Sequence, residues 1–155
     1  MYQQLDKDMV AVLKFIDLNG EEFEVDLKEE LAFSEHTLNQ ATFTHASKYV
    51  WWTEVLAHAK RQLSAQDTAM DLLLAQLGNQ AREAIKAQGD KPTKDSVNDY
   101  IKVLPQYIEA KQALDWWTTR VFQLQYIVKA WEQRGSALIQ AGAQYRKEMD
   151  VHNIK

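Results

Sequence analysis

From Tyr107 to Met149 the apolar positions recur in alternating steps of three and four: Tyr107, Ala110, Leu114, Trp117, Val121, Leu124, Val128, Trp131, Gly135, Leu138, Gly142, Tyr145 and Met149. A seven-residue repeat held over this length predicts a helix seated in a coiled-coil-like seam. Such a helix is not stable alone in water and needs a partner along its length. The same frame fits Tyr49, Trp52, Leu56, Ala59, Leu63, Gln66, Met70, Leu73, Leu77 and Ala84, with Gln66 and the Gln80 slot as polar interruptions. Ser34 or Thr37 is placed to cap this earlier helix, and no proline interrupts it before Ala87. Each rod would run on the order of 60 Å at the α-helical rise.

Between the rods lies Gln88 to Lys94. Gly89 suits a left-handed helix cap and Pro92 blocks continuation. Thr93 or Asp95 can open a short helix, and Pro105 is well placed as the first residue of the last one. Near the N-terminus the run Val10–Asp17 is rich in β-branched and aromatic residues, and Glu22–Leu27 alternates polar with apolar. The intervening Asn19-Gly20 pair predicts a β-hairpin, because both turn positions tolerate positive φ. A helical turn over Leu27–Leu31 competes for the segment that follows. The expected fold is mainly α: a long antiparallel helical hairpin with a short elbow helix and a small N-terminal β-hairpin. The expected division is an arm over 1–35, a helical oligomerisation domain over 36–150 and a tail over 151–155.

A two-helix hairpin has one seam, and this chain carries more apolar residues than one seam can use. Val50, Trp51, Val55, Leu72, Leu74, Ile108, Trp116, Phe122, Ile127 and Ile139 all fall off it. That is more than a short β-hairpin can cover, so a second face is expected to join copies of the chain. Trp51, Val55, Trp116, Phe122 and Ile127 are the residues expected at that interface.

The remaining composition narrows the choices. With 155 residues the chain has about one domain's length, and five glycines and two prolines favour long helices over loops. There is no cysteine, which excludes disulfides and thiolate metal sites and fits a reducing cytoplasm. The N-terminal residues lack the basic-then-apolar pattern of a secretory signal, and no apolar run is long enough to span a membrane. Net charge is −4, but residues 1–35 hold −7 and residues 36–155 hold +3. An acidic leader thus precedes a mildly basic body, which permits an anionic partner.

Candidate chemistry is sparse. His36, His45, His58 and His152 form no metal-ligand spacing, the glycines are isolated, and no nucleophile–base signature is present. No metal, cofactor or catalytic residue is expected, and a non-enzymatic protein is the reading. Of the tryptophan pairs Trp51-Trp52 and Trp116-Trp117, one ring enters the seam and its neighbour points about 100° away. The outer ring either stacks on unpaired bases or joins an interface, and the interface reading is the stronger because the register already explains one ring of each pair. Arg82, Lys86, Lys91 and Lys94 fall within thirteen residues around the elbow, and repeated in an oligomer they would make a sizeable anion-binding surface. Arg61 and Arg120 are secondary candidates. The plainer reading of the cluster is a solvated helix end with cations near the C-terminal dipole.

The stretch from Ser34 to Arg146 resembles the UvsY-type recombination mediators of tailed phages and their relatives in temperate phages. The matching pieces begin with Thr37-Leu38-Asn39-Gln40-Ala41, leading into Tyr49-Val50-Trp51-Trp52. Then come Gln80-Ala81-Arg82-Glu83-Ala84-Ile85-Lys86 before Gly89, and Lys91-Pro92-Thr93 followed by Tyr107. Leu124, Val128, Ala130, Arg134, Leu138, Ile139, Gly142 and Arg146 complete the pattern. The resemblance implies a ring-like homo-oligomer in a phage-infected or lysogenic host. It would bind single-stranded DNA and help a RecA-type recombinase displace single-strand-binding protein. The family's Lys-Ala-Arg-Leu segment corresponds to Gln80-Ala81-Arg82-Glu83, so its arginine carries over to Arg82, with Lys86 one turn later in place of the lysine. Residues 1–35 lie outside the family pattern. The alternative is a helical scaffold or phage assembly adaptor that binds protein and no DNA.

Overall fold

The computed structural model describes residues 12–16 and 21–153. Strands β1 (Val12–Ile16) and β2 (Glu22–Asp26) pair antiparallel, with Phe15 opposite Phe23 and Ile16 opposite Glu22. This is the expected hairpin; its Asn19-Gly20 turn lies outside the described residues. Asp26 ends β2 and caps α1 (Leu27–Leu31), its Oδ1 accepting from the amides of Lys28 at 2.9 Å and Glu29 at 3.2 Å. The strand and the helical turn therefore both form, one after the other, around a single aspartate.

A 3-10 turn (Glu35–Thr37), framed by a reciprocal Ser34–Thr37 pair, leads into α2 (Leu38–Ala87). Helix α3 (Lys94–Lys102) and α4 (Pro105–Asn153) complete the chain, and α4 is unbroken through the whole heptad stretch. Two long helices, a short elbow helix and a two-stranded N-terminal sheet are the architecture expected from the pattern.

The chain packs as two compact units. The first joins the described residues up to Leu56 with those from Leu124 onward. In it Leu38 and Ala41 cluster with Leu138, while Tyr49 Oη donates to Glu132 Oε1 at 2.9 Å, so position falls on α4 as it rises on α2. This is the antiparallel sense. The sheet lies on the tryptophan pair: Phe15 meets Trp52 edge-on at 5.4 Å between centroids, and Phe23 meets Trp51 at 5.3 Å.

Arg134 sits at the centre of this unit, 7 % exposed. Its Nε donates to the Leu31 carbonyl at 3.0 Å and its Nη1 to the Ala41 carbonyl at 3.4 Å, with His45 Nδ1 at 3.3 Å. Its guanidinium also lies over the Trp131 ring at 4.9 Å. One side chain thereby links the end of α1, the start of α2 and the middle of α4. Burial pulls its pKa down and Glu30 opposes that pull.

The second unit spans Ala57–Gln123. Its core is Leu77, Ala81 and Ile85 of α2 against Val97 and Ile101 of α3, with Leu73, Tyr100, Leu104 and Tyr107 packed around them.

The frame needs two corrections. The inward position after Leu77 is Ala81, fully buried, and not the Gln80 slot, which is exposed. The docking of α3 shifts the buried stripe of α2 by one residue there. Val55 and Ile127 were expected at an outer interface, yet they are 2 % and 3 % exposed within the first unit. The buried stripe is wider than two positions per heptad: Trp52, Val55, Leu56 and Ala59 are all buried on α2, as are Val121, Leu124, Ile127 and Trp131 on α4. The other eight off-seam residues keep at least a third of their surface, led by Ile139 at 74 %.

Candidate nucleic-acid interface

The elbow of the second unit is built mainly from backbone hydrogen bonds. At the end of α2 the Gly89 amide donates to the Lys86 carbonyl at 3.0 Å and the Asp90 amide to the Ile85 carbonyl at 3.2 Å. This pair of bonds is a Schellman cap, and Gly89 takes the left-handed conformation it requires, with φ +87°. Two residues past Lys91, Thr93 opens α3 with a capping box. Its Oγ1 accepts from the Ser96 amide at 3.2 Å, while Ser96 Oγ accepts from the Thr93 amide at 2.9 Å. Of the two expected starts, Thr93 and Asp95, Thr93 is the one used.

This framework carries the four cations. Ala81 and Ile85 point into the core, which turns Arg82 and Lys86 outward at i,i+4. Lys91 stands in the loop and Lys94 is the first residue of α3, and all four are exposed. Arg82 Nη1 donates to Asn79 Oδ1 at 3.1 Å. Among the described residues none of the four forms an ion pair within 4.0 Å, unlike Lys102 with Asp99 or Lys111 with Asp115. Lys86 at the C-terminal end of α2 gains from the helix dipole, but Lys94 at the N-terminal end of α3 stands against it. Dipole complementarity thus explains one cation of the pair and not the other. Glu83, Asp90 and Asp95 are interspersed, so the surface is mixed with a cationic excess of one.

The secondary candidates lie elsewhere in the same unit. Arg61 is exposed on α2, twenty-one residues before Arg82, or about 30 Å along the helix. Arg120 is half-buried on α4, its guanidinium over the Trp116 ring at 5.0 Å and its Nη1 donating to Gln123 Oε1 at 3.0 Å. Of the residues expected at an oligomer interface, Trp51 is 40 % exposed beneath Phe23, Trp116 39 % and Phe122 56 %, while Val55 and Ile127 are internal. The polar residues that flank Trp116, namely Gln112, Asp115, Thr119 and Gln123, had not been singled out from sequence. The i,i+4 spacing of Trp116 and Arg120 was the available signal. Among the described residues no three His, Cys, Asp or Glu side chains gather as a metal site, and no helix is long and apolar enough to cross a membrane.

The class defined by these elements is a helical-hairpin protein with a cationic elbow and exposed aromatic side chains. Beyond that class, no family model, curated protein or solved structure matches the chain.

Proposed function

We propose that this chain is a single-stranded-DNA-binding recombination mediator, sequence-independent and non-enzymatic, that works as a ring-like homo-oligomer and helps load a RecA-type recombinase. The observation that carries the reading is the elbow. Four exposed cations, which form no ion pair among the described residues, stand on and beside a turn closed by main-chain hydrogen bonds. Elsewhere in the same unit α2 and α4 keep apolar side chains such as Leu72 and Phe122 in solvent, material for contacts between copies. Many weak phosphate contacts spread over several copies would hold a strand extended yet exchangeable, as handing it to a recombinase requires.

Fluorescence anisotropy with an unstructured oligonucleotide tests this. Saturable binding is expected, with log affinity falling linearly in log salt by roughly 0.7 per phosphate neutralised. Reversing both Arg82→Glu and Lys86→Glu should weaken binding and flatten that slope. An affinity indifferent to salt, or unmoved by the double reversal, would refute the elbow as the DNA site. A second reading, a protein-binding adaptor, draws on Phe43 and Ile139, exposed at 86 % and 74 % in the first unit. It predicts no oligonucleotide binding even at low salt.

A further inference from the structure

We infer that Trp116, together with Arg120, forms a stacking site for an unpaired nucleobase on the outer face of α4. This rests on the single-stranded-DNA reading and adds to it a contact that phosphate attraction does not supply.

The two tryptophans of the pair have separate tasks. Trp117 occupies the seam position and is half-buried, so packing accounts for it. Trp116 is 39 % exposed, although an indole is costly to leave in water. Its ring packs perpendicular to that of Trp117, centroids 4.6 Å apart at 88°, a contact that favours one orientation of the indole. Arg120, one turn on, lies over the ring at 5.0 Å and is itself oriented by Gln123.

Around them is a shallow depression of about 450 Å³, lined by Gln112, Asp115, Trp116, Thr119, Arg120 and Gln123. Its chemistry suits a base. The planar guanidinium backed by the indole, and the part of the indole left in solvent, can stack on any of the four bases. The amides of Gln112 and Gln123 and the Thr119 hydroxyl both donate and accept, so they can meet a base edge without strict selection. Lys111 Nζ pairs with the Asp115 carboxylate at 2.7 Å, and with Arg120 it gives the depression two cations against one acid, a balance that suits the phosphate beside a stacked base. A peptide side chain would find here neither a deep apolar hole nor a fixed set of hydrogen bonds.

The test compares labelled oligothymidylate with an abasic oligomer of equal length, which keeps the phosphates and lacks the bases. The full chain should bind oligothymidylate roughly five- to a hundredfold more tightly than the abasic strand. Trp116→Ala should remove that advantage while leaving abasic binding and its salt slope unchanged, and Trp116→Phe should keep part of it. Circular dichroism and light scattering on each variant separate loss of stacking from loss of fold or assembly. Equal affinity of the wild-type chain for both strands overturns the stacking site and leaves the phosphate-binding elbow standing. Binding of neither strand removes both. A Trp116→Ala chain that loses affinity for both strands alike, or that falls apart into smaller species, assigns Trp116 to assembly and overturns the inference.

Discussion

Arg134 is the residue on which most of the first unit converges, and its environment makes three outcomes predictable. Arg134→Met removes the donor to the part-buried Leu31 carbonyl at the end of α1 and the second donor to the Ala41 carbonyl, which keeps its helical partner. A loss of about 2–3 kcal/mol is expected, read as a lower midpoint in urea with an unchanged slope. His45 gives the second. Burial first, and then the Arg134 guanidinium, hold its imidazole below the ordinary pKa. The native state therefore binds the proton less readily than the unfolded chain does. Its contribution to stability is complete above about pH 6.5 and is lost as pH falls through the folded value. The melting temperature of the wild-type chain should drop more between neutral pH and about pH 5 than that of His45→Gln. Gly135 gives the third. A Cβ there would lie 2.7 Å from His45 Nε2, on a ring held by Arg134 at 3.3 Å and stacked on Tyr49 at 6.2 Å. Gly135→Ala should cost about 1–3 kcal/mol in spite of alanine's better helix propensity. At Gly142 the nearest atom is the flexible end of Arg146 at 3.9 Å, so Gly142→Ala should stabilise by roughly 0.5–1 kcal/mol. The heptad pattern places both glycines on the seam and cannot tell them apart, because the difference is made by a ring ninety positions away in sequence.

At the scale of the elements, the readable features were those with local causes. Period-seven spacing marks α2 and α4, the alternation of Glu22–Asp26 marks β2, and Gly89, Thr93 and Pro105 punctuate the elbow as their backbone preferences require. The features that escaped had causes in another element. Val55 and Ile127 lie inside because the packed stripe of each helix is broader than the heptad seam, and Ala81 displaces Gln80 because α3 docks beside it. Arg134 was legible as a polar residue next to the seam but not as an anchor, since its acceptors are main-chain carbonyls of other segments. The elbow itself is testable here. Gly89→Ala forces a side chain into φ +87° and should cost about 1–2 kcal/mol, while Thr93→Ala removes a cap worth about 1 kcal/mol. Hydrogen exchange should show the loss concentrated in Lys86–Ser96 amides.

For the whole molecule, the arrangement of charge and apolar surface makes assembly the decisive property. Light scattering should find a homo-oligomer whose size does not depend on salt, because the side chains proposed to join the copies are apolar. Phe122→Glu should reduce that size while helical content by circular dichroism stays constant. A monodisperse monomer at micromolar concentration would remove the ring from the proposed mechanism. Of the candidate site, the four elbow cations were readable as a cluster in sequence, but their lack of a carboxylate partner among the described residues was not, since that depends on where neighbouring side chains settle.

The turn that joins α2 to α3 is closed by peptide groups, one glycine and the reciprocal bonds of a threonine and a serine. None of these contacts enlists Lys86, Lys91 or Lys94 side chains. The fold of this tip is therefore largely independent of the charges it carries, and its electrostatic character can be rewritten, in an engineered chain or in a diverging lineage, while the corner beneath keeps its hydrogen bonds.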